Sequence, residues 1–420
     1  MTLRRLQTHE IETVRRDPID AATLDQAFEI IRRVRTGGEP TLREIAENLG
    51  DLEPDAPMVL GPADLEAAAN EIVPETVDLL QRTADRIAAF ADAQRQSIVN
   101  LKVPVPGGIA GHSVAPVERA GCYAPGGRYP LPSSVLMTAV TARAAAVAEV
   151  WVASPRPTPI TLAAAAVAGA DAVLTVGGAQ AIAALAYGAG PVPVCDVVVG
   201  PGNRWVTAAK KLVSGDVGID MLAGPSELVV LADNSADPAT VAADLLAQAE
   251  HDPEALPVLV TTSETLADAV DGEIEAQLAD LPTREIAAAA LANGFCVVAD
   301  DIHRAVEVCD RIAPEHLQVL TADPDVVAAR LSNWGGLFVG PTSAEVFGDY
   351  GVGPNHTLPT GAVARFKGGL SVLDFLRVRT WLKLEPGEGA MEMAEDAAAL
   401  ARLEGLEAHA RAAERRIKGG

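Results

Sequence analysis

Apolar residues in the middle of the chain come in short, nearly continuous runs separated by segments with helical spacing. Eight runs form two series of four, at 150–154, 172–176, 196–199, 228–233, 257–262, 295–300, 317–321 and 337–340. Apolar strands that alternate with helices are typical of a parallel sheet covered on both faces. The pattern predicts two doubly wound α/β lobes, with ligands bound beyond the carboxyl ends of the strands.

The two ends of the chain have different patterns. Helical periodicity covers 21–35, stops at Gly37-Gly38 and returns over 64–94, whereas 103–118 has the alternation of short strands. Residues 387–418 form a helical run rich in Ala, Glu and Arg, with too few apolar residues for a core of its own. These patterns predict N-terminal helices and a C-terminal helical tail.

The predicted fold is therefore α/β, with two Rossmann-like lobes between helical ends. The boundaries are placed at 1–117 for the N-terminal helical region, 118–226 for the first lobe, 227–365 for the second lobe and 366–420 for the tail. The N-terminal region is expected to pack on the second lobe. The tail is expected to pack on another surface, because it lacks a core.

Composition fits this picture and narrows the partners. Of 420 residues, 49% are hydrophobic and 21% charged, which is typical of a chain with a large core. The net charge is −24 without a cluster of basic residues, which argues against nucleic acid as a partner. The N-terminus has no secretory pattern, and the apolar runs are too short to span a bilayer, so we expect a soluble, cytoplasmic protein.

The cysteines form no metal-binding or disulfide pattern. Cys122, Cys195, Cys296 and Cys309 are scattered, without a Cys-x-x-Cys pair. We expect reduced and mostly buried thiols. A nucleophilic role for Cys122, which lies in a glycine-rich loop, is a minor alternative.

Three glycine-rich turns in the first lobe are candidates for binding a nucleotide. They are 120–130, which contains Tyr123, the turn Gly177-Gly178-Ala-Gln180, and the turn Gly200-Pro-Gly202-Asn203. Backbone N–H groups at the start of a helix favour phosphate or carboxylate, although a single such turn is as often a plain connection. Trp205 stands where the dinucleotide fingerprint has its third glycine, so a standard Rossmann site is not supported.

A second group of residues suggests a metal ion. Gln248 and His251 are three residues apart in a helical segment, so both side chains would leave one face. Asp349, His356 and His409 could supply further zinc ligands. The alternative is an ordinary amphipathic helix that ends before Pro253.

Glu315 and His316 are the best candidates for general acid/base catalysis. Adjacent side chains on an extended segment face opposite ways, so an irregular turn is needed for both to reach one ligand. As an isolated pair they would more often be a helix cap and a surface histidine.

Together these motifs resemble those of histidinol dehydrogenase, a zinc enzyme that ends histidine biosynthesis. The resemblance runs in order and spacing from about Tyr123 to His409. It is carried by Gly-Gly-Ala-Gln180, Gly-Pro-Gly-Asn203, Asp-Met-Leu-Ala-Gly-Pro-Ser226-Glu, Gln248-Ala-Glu-His251, Pro-Glu315-His316-Leu and Gly-Asp349-Tyr. It implies two successive NAD-dependent oxidations, of L-histidinol to a retained aldehyde and of the hydrated aldehyde to L-histidine.

The resemblance also implies roles for individual residues. The implied zinc ligands are Gln248, His251, Asp349 and His409, so His356 would not bind the ion directly. The implied NAD contacts are Tyr123, Gln180 and Asn203. Substrate would be held by Ser226, Glu404, His316 and the metal ligands, and the acid/base pair would be Glu315 and His316. A homodimer is implied in which the tail is exchanged and His409 completes the partner's zinc site.

Two other classes of protein stay open on the sequence. A zinc hydrolase could use the same four ligands with Glu315 as the base, but it would not need three glycine-rich turns at strand ends. A two-lobed binding protein would explain the cleft but not the Glu-His pair beside metal ligands. Formation of NADH from histidinol separates both from a dehydrogenase.

Overall fold

The computed structural model describes residues 2–13, 19–126 and 130–417, which form fifteen strands and fifteen α-helices. The strands are β1 (Arg4–Leu6), β2 (Val59–Leu60), β3 (Leu101–Val105), β4 (Gly108–Pro116), β5 (Arg119–Tyr123), β6 (Glu149–Ala153), β7 (Ala172–Leu174), β8 (Val197–Val199), β9 (Gly218–Ile219), β10 (Glu227–Ala232), β11 (Leu256–Thr261), β12 (Phe295–Val298), β13 (His316–Leu320), β14 (Gly336–Val339) and β15 (Leu376–Leu384). The helices are α1 (Ala21–Asn48), α2 (Pro62–Glu71), α3 (Pro74–Gln96), α4 (Pro132–Ala144), α5 (Pro159–Val167), α6 (Gly178–Tyr187), α7 (Arg204–Val213), α8 (Pro238–Ala249), α9 (Glu264–Ala279), α10 (Arg284–Leu291), α11 (Ile302–Ile312), α12 (Pro324–Ala328), α13 (Val346–Asp349), α14 (Glu388–Leu403) and α15 (Glu407–Ile417).

The predicted pair of doubly wound sheets is confirmed. The first sheet has the order β2-β7-β6-β5-β8-β9, and the second has the order β1-β12-β11-β10-β13-β14. All eight apolar runs of the sequence are strands of these sheets. In both, the first strand of the lobe is central and a short strand from the N-terminal region forms one edge. That edge strand is antiparallel in the first sheet, where β2 pairs with β7, and parallel in the second, where β1 pairs with β12.

The N-terminal region is divided between the two sheets, which corrects the expectation that it packs on the second lobe. The buried face of α1, with Ala27, Ile31, Val34 and Leu42, shares a core with α6 of the first lobe. Helix α2 packs on α5 of the same lobe. On the second lobe, besides β1, the Arg86 guanidinium of α3 donates a 2.7 Å hydrogen bond to the carbonyl of Gly351. The apolar face of α1 thus decides where most of this region lies.

Glycine and proline set the helix boundaries in this region. The backbone of α1 leaves the helical conformation at Gly38, with φ 60° and ψ −146°, and a second stretch then runs to Asn48. The single helix expected over 64–94 is two helices, because Pro74 disfavours the helical conformation at the residue before it. Helix α2 ends at Glu71, and its C-cap Ile72 is already extended, with ψ 143°.

The C-terminal segment and the hairpin at 101–116 form a second compact unit, composed of the described residues in 93–117 and 376–417. The strand prediction over 103–118 is confirmed by β3 and β4. The tail expected over 366–420 is not wholly helical, because β15 pairs antiparallel with β4 along nine residues. Helices α14 and α15 pack on each other through a small core of Ala398, Ala401 and Ala410.

The two lobes, which belong to the other compact unit, are joined by a short connection at 220–226. Because β9 is parallel to its neighbours, the chain leaves the first sheet at its carboxyl edge and enters β10 at the amino edge of the second. The connection is held from both lobes. Thr207 of α7 donates to the carbonyl of Ala223, and Thr360 accepts from the N–H of Gly224. None of the described helices is both long enough and apolar enough to cross a membrane.

Candidate metal and acid/base site

The three residues expected to contact NAD lie at the carboxyl edge of the first sheet. Tyr123 is the last residue of β5, Gln180 is in the first turn of α6, which follows β7, and Asn203 is the N-cap of α7, which follows β8. Parallel strands present their carboxyl ends at one edge, so the fold collects these side chains there. Their contact with NAD stays a prediction. Arg128 of the first glycine-rich loop lies outside the described residues.

Close backbone approach joins these turns. The Tyr123 hydroxyl accepts a 3.1 Å hydrogen bond from the N–H of Gly178 at the start of α6, and burial raises the pKa of Tyr123 to about 12. Gly200 has φ +114°, and a Cβ on it would lie 2.0 Å from the carbonyl oxygen of Tyr123. Asn203 accepts from the N–H groups of Trp205 and Val206. The glycines are therefore needed for packing of these turns, independently of any ligand.

A buried ion pair fixes the Gly200 turn. Lys210 donates a 2.9 Å hydrogen bond to the carbonyl of Gly200, and Asp220 accepts a 2.8 Å bond from the N–H of Gly200. Lys210 and Asp220 also pair with each other, and their side chains are nearly inaccessible to solvent. One peptide group on each side of Gly200 is thus held by a charged partner.

In the second lobe, the candidate site residues lie at the amino ends of the strands. This corrects the expectation that ligands lie beyond the carboxyl strand ends of both lobes. His316 is the first residue of β13, Glu227 is the first residue of β10, and Ser226 directly precedes it. Gln248 lies in the last turn of α8 and His251 just beyond its end, on the way to β11. These residues lie at the amino edge because the connection at 220–226 runs from the carboxyl edge of the first sheet to the amino edge of the second.

Glu315 and His316 both reach the peptide of Glu227. The Glu315 carboxylate accepts a 2.9 Å bond from the Glu227 N–H, and His316 Nδ1 lies 3.0 Å from the Glu227 carbonyl oxygen. Their side chains are 3.5 Å apart. The required irregular turn is present, because Ala313 has a left-handed conformation (φ 49°, ψ 61°) directly after α11.

This arrangement sets the protonation of the pair. A carbonyl oxygen can only accept, so His316 Nδ1 carries a proton, and burial lowers the pKa of His316 to about 4. The ring is then neutral near pH 7, with the lone pair on Nε2. Burial raises the pKa of Glu315 well above its ordinary value. This carboxyl group therefore holds a proton more strongly than an exposed glutamate does.

Three side chains next to His316 could hold a metal ion. His251, Glu345 and Asp349 offer ligand atoms that all lie within 4.8 Å of one another. The His251 Nε2 to Asp349 Oδ2 distance is 3.3 Å, and His316 Nε2 lies 3.6 Å from Glu345 Oε1. Burial alone would raise the pKa of Asp349, but hydrogen bonds from His251 and His356 outweigh it and lower the pKa. The pKa of His251 is raised, mainly by its hydrogen bond to Asp349.

Unpaired buried atoms show that these residues fit a cation. Both amide atoms of the fully buried Gln248 lack a hydrogen-bond partner among the described residues, as does His356 Nε2. Leaving one such group unpaired costs about 1–3 kcal/mol, which coordination can offset. Imidazole nitrogen with amide and carboxylate oxygen is a donor set suited to zinc.

Glu345 was missed by sequence reasoning. It stands four residues before Asp349, so the two side chains share one face of a short helical segment. Burial and the nearby Asp349 raise the pKa of Glu345 above its ordinary range. The i, i+4 spacing of two acidic residues was the available signal. His356 Nδ1 lies 3.6 Å from Asp349 Oδ1, beside the cluster.

The remaining predicted residues are placed as follows. Ser226 is half-buried before β10, and its carbonyl accepts from the N–H of Leu256. Glu404 is the C-cap of α14 and His409 lies in α15, both in the second compact unit with exposed side chains, so their roles stay predictions. Cys122 is fully buried, and burial raises its pKa to about 12. Its thiol is thus inert at neutral pH, which argues against a nucleophilic role.

Two parallel α/β lobes with a buried acid/base pair beside a set of metal donors define an α/β enzyme with a candidate metal centre. The family model described as histidinol dehydrogenase matches residues 14–417. The chain is 45% identical over 395 residues to a histidinol dehydrogenase from Parasynechococcus marenigrum, covering 92% of this chain and 90% of that protein. It is 48% identical over 336 residues to one from Thermus thermophilus, covering 80% and 81%. The chain belongs to the histidinol dehydrogenase family.

A solved structure supports the same assignment. The crystal structure of histidinol dehydrogenase from Elizabethkingia anophelis matches with a TM-score of 0.92 and 29% identity, covering 99% of this chain and 98% of that one. The predicted α/β fold is therefore confirmed. Family membership also confirms an NAD-dependent oxidoreductase with a role in histidine biosynthesis.

Proposed function

We propose that this protein oxidises L-histidinol through L-histidinaldehyde to L-histidine with two NAD, using one zinc ion per subunit. The observation that carries the proposal is the buried Glu315–His316 pair, fixed on the Glu227 peptide next to the donors of His251 and Asp349. A neutral imidazole and a carboxyl group of raised pKa are two proton acceptors of different strength. His316 can accept the hydroxyl proton in each oxidation, and Glu315 can act on the water that hydrates the aldehyde between them.

Gln248, His251 and Asp349 would hold the zinc ion, and the resemblance adds His409. When bound, zinc supplies coordination sites for the amino and imidazole nitrogens of histidinol, and NAD supplies the hydride acceptor. His316 takes the hydroxyl proton on Nε2 while the hydrogen on carbon leaves as hydride. Asp349, whose pKa is lowered and whose Oδ1 lies 4.0 Å from that nitrogen, stabilises the resulting imidazolium.

The second oxidation needs a hydrated aldehyde. Glu315 takes a proton from water as the water attacks the aldehyde carbon, which gives the diol. His316, which has released its first proton to solvent, then accepts a hydroxyl proton of the diol during the second hydride loss. Because both side chains are anchored on the backbone of one residue, Glu227, neither has to move between the steps.

The test is conversion of histidinol by the zinc-loaded protein. We expect two NADH per histidine formed, measured by absorbance and by mass spectrometry of the product. A chelator should abolish turnover while far-UV circular dichroism stays unchanged, because both lobes have large apolar cores of their own. Recovery of unchanged histidinol, or its consumption without NADH, would contradict the proposal.

We also propose a homodimer in which His409 completes the zinc site of the partner subunit. Support comes from the resemblance and from the small core of α14 and α15, around which Leu400, Leu403 and Leu406 are exposed. Exposed apolar side chains of this size are typical of a surface covered by another chain. Exchanging such a segment costs little, because the same contacts form between chains.

Complementation tests the exchange. A His409→Ala chain and a His316→Ala chain, each inactive alone, should regain activity when co-expressed. A mixed dimer then has one site that lacks both residues and one site that keeps both. Persistent inactivity of a verified mixed dimer would place His409 in the site of its own subunit.

A further inference from the structure

Asp51, from the N-terminal region, lies at the start of α6 beside a predicted NAD contact. One of its carboxylate oxygens, Oδ2, accepts a 2.9 Å hydrogen bond from Gln180 Nε2 and a 3.1 Å bond from the N–H of Gly177. Gln180 is buried, and among the described residues this is its side-chain hydrogen bond. We propose that Asp51 is a positioning residue for NAD binding, which acts by fixing the Gln180 amide. The inference rests on the proposed role of Gln180.

The backbone of Asp51 is held firmly enough for this task. Helix α1 ends with Gly50 in the left-handed conformation, and the N–H groups of Gly50 and Asp51 bond back to the carbonyls of Glu47 and Ala46. This is a Schellman motif, which fixes the two residues that follow a helix. Because α1 packs on α6, the motif delivers the carboxylate to the start of α6.

The local backbone of α6 is arranged around the same amide. Gly178 has φ +61°, and a Cβ there would lie 2.8 Å from Gln180 Oε1. A side chain at this position would thus displace the Gln180 amide, which folds back over the first residue of the helix. The sequence Gly177-Gly178-Ala-Gln180 therefore makes room for Gln180, in addition to forming a turn.

The chemistry of the contact orients the amide. A carboxylate can only accept, so Asp51 faces the NH₂ group of Gln180, and the carbonyl oxygen Oε1 points away from it. A ligand at this edge therefore meets a hydrogen-bond acceptor. The matching group on NAD is a donor, a ribose hydroxyl or an amide NH₂.

Asp51 also changes what the start of α6 can bind. Its carboxylate takes the N–H of Gly177, and the Tyr123 hydroxyl takes the N–H of Gly178. Two of the donors that would attract a phosphate are thus engaged within the chain, and a negative charge stands beside them. Gln180, held by Asp51, is left as the recognition group at this helix.

The experiment measures NAD binding to the zinc-loaded protein by calorimetry without histidinol, and steady-state kinetics with histidinol. For Asp51→Ala we expect the Kd and KM for NAD to rise about tenfold, the order expected for a lost charge-assisted hydrogen bond. The KM for histidinol and kcat at saturating NAD should change less than twofold. Asp51→Asn keeps an oxygen acceptor and should restore most of the affinity.

A double-mutant cycle shows whether Asp51 acts through Gln180. The Asp51→Ala/Gln180→Ala protein should bind NAD no more weakly than Gln180→Ala alone, because the two changes remove one interaction. Asp55→Asn is the matched control: it removes the same charge from an exposed position in the same connection and should leave NAD affinity unchanged.

Three outcomes would overturn the inference. They are additive losses in the double variant, equal losses of NAD and histidinol affinity, and wild-type NAD affinity in Asp51→Ala. Failure of the proposed function would be seen separately, as wild-type protein that forms no NADH from histidinol. The calorimetric comparison stands in either case, because it does not depend on turnover.

Discussion

The two lobes have the same strand order, but their candidate site residues lie at opposite edges of the two sheets. The first lobe places Tyr123, Gln180 and Asn203 at its carboxyl edge, whereas the second places Ser226, Gln248 and His316 at its amino edge. In a doubly wound sheet, helices begin at the carboxyl edge and end at the amino edge. The first lobe thus offers the positive ends of helix dipoles, and the second offers the negative ends of α8 and α11.

This difference explains the residues found at each edge. At the starts of α6 and α7, the Asp51 carboxylate, the Tyr123 hydroxyl and the Asn203 amide oxygen accept hydrogen bonds from backbone N–H groups. At the end of α8, Gln248 is buried without a partner, and His251 faces Asp349. One edge satisfies its polar groups internally, and the other keeps donors for a cation. A duplicated topology can therefore serve two ligands of opposite charge preference.

The largest expected effect separates the two acid/base residues of the second lobe. His316→Asn should slow the first hydride step by roughly 10²–10⁴-fold, the usual contribution of a general base. Glu315→Gln should leave the first step within about tenfold of wild type and suppress the second, because only the second needs activated water. In the Glu315→Gln protein, single-turnover NADH formation should then show one phase instead of the two seen in the wild type.

His303→Asn is the control for the histidine change, since this side chain is exposed on α11 of the same lobe. It should leave both phases intact. Equal loss of the first phase in the Glu315 and His316 variants would contradict the assignment. A rise in the KM for NAD in the Glu315 or the His316 variant would contradict the assignment of NAD binding to the first lobe and acid/base chemistry to the second.

A smaller effect concerns the buried ion pair of the first lobe. Lys210→Met leaves the Asp220 carboxylate buried without its cation and should lower the free energy of unfolding by about 3–5 kcal/mol. Denaturant unfolding measures this loss. Lys211→Met, at the exposed neighbouring position, should change it by less than about 0.5 kcal/mol. A loss below about 1 kcal/mol for Lys210→Met would show that the pair does not hold the Gly200 turn.

The smallest effect compares two helices, one in each lobe, that begin with a side-chain cap. Asn203 caps α7 and Ser263 caps α9 of the second lobe, so alanine at either position should cost about 1 kcal/mol of stability. Only Asn203→Ala should also raise the KM for NAD. If Ser263→Ala raised it equally, the effect at Asn203 would be one of stability, and Asn203 would not be a cofactor contact.

Much of the fold could be predicted because its signals are local. Each central strand is a nearly continuous apolar run, and Gly or Pro marks most boundaries, as at Gly38 and Pro74. The edge strands β1 and β2 could not be predicted, since two or three residues carry no period and their pairing partners are distant in sequence. The strand β15 was missed for a related reason: its residues are mostly exposed, so it lacks the apolar run of a core strand.

The site was predictable in its residue types and less so in its geometry. Glu315 and His316 stood out as adjacent titratable groups, and their shared contact with Glu227 depends on the left-handed Ala313, which no pattern indicates. Use of the amino edge depends on how the connection at 220–226 joins two sheets. Asp51 could not be found because its role comes from the packing of α1 on α6, 126 to 129 residues away in the chain.

The pairing of β1 with β12 constrains how the chain can be made and folded. During synthesis, residues 4–6 precede their partners at 295–297, which follow only after the whole first lobe and about half of the second. At about 5–20 residues per second, this strand waits roughly 15–60 s on the ribosome before it can pair. The first sheet can close earlier, since β2 to β9 are complete by residue 219. The lobe proposed to bind NAD can thus be assembled while the lobe with the metal donors still lacks its edge strand.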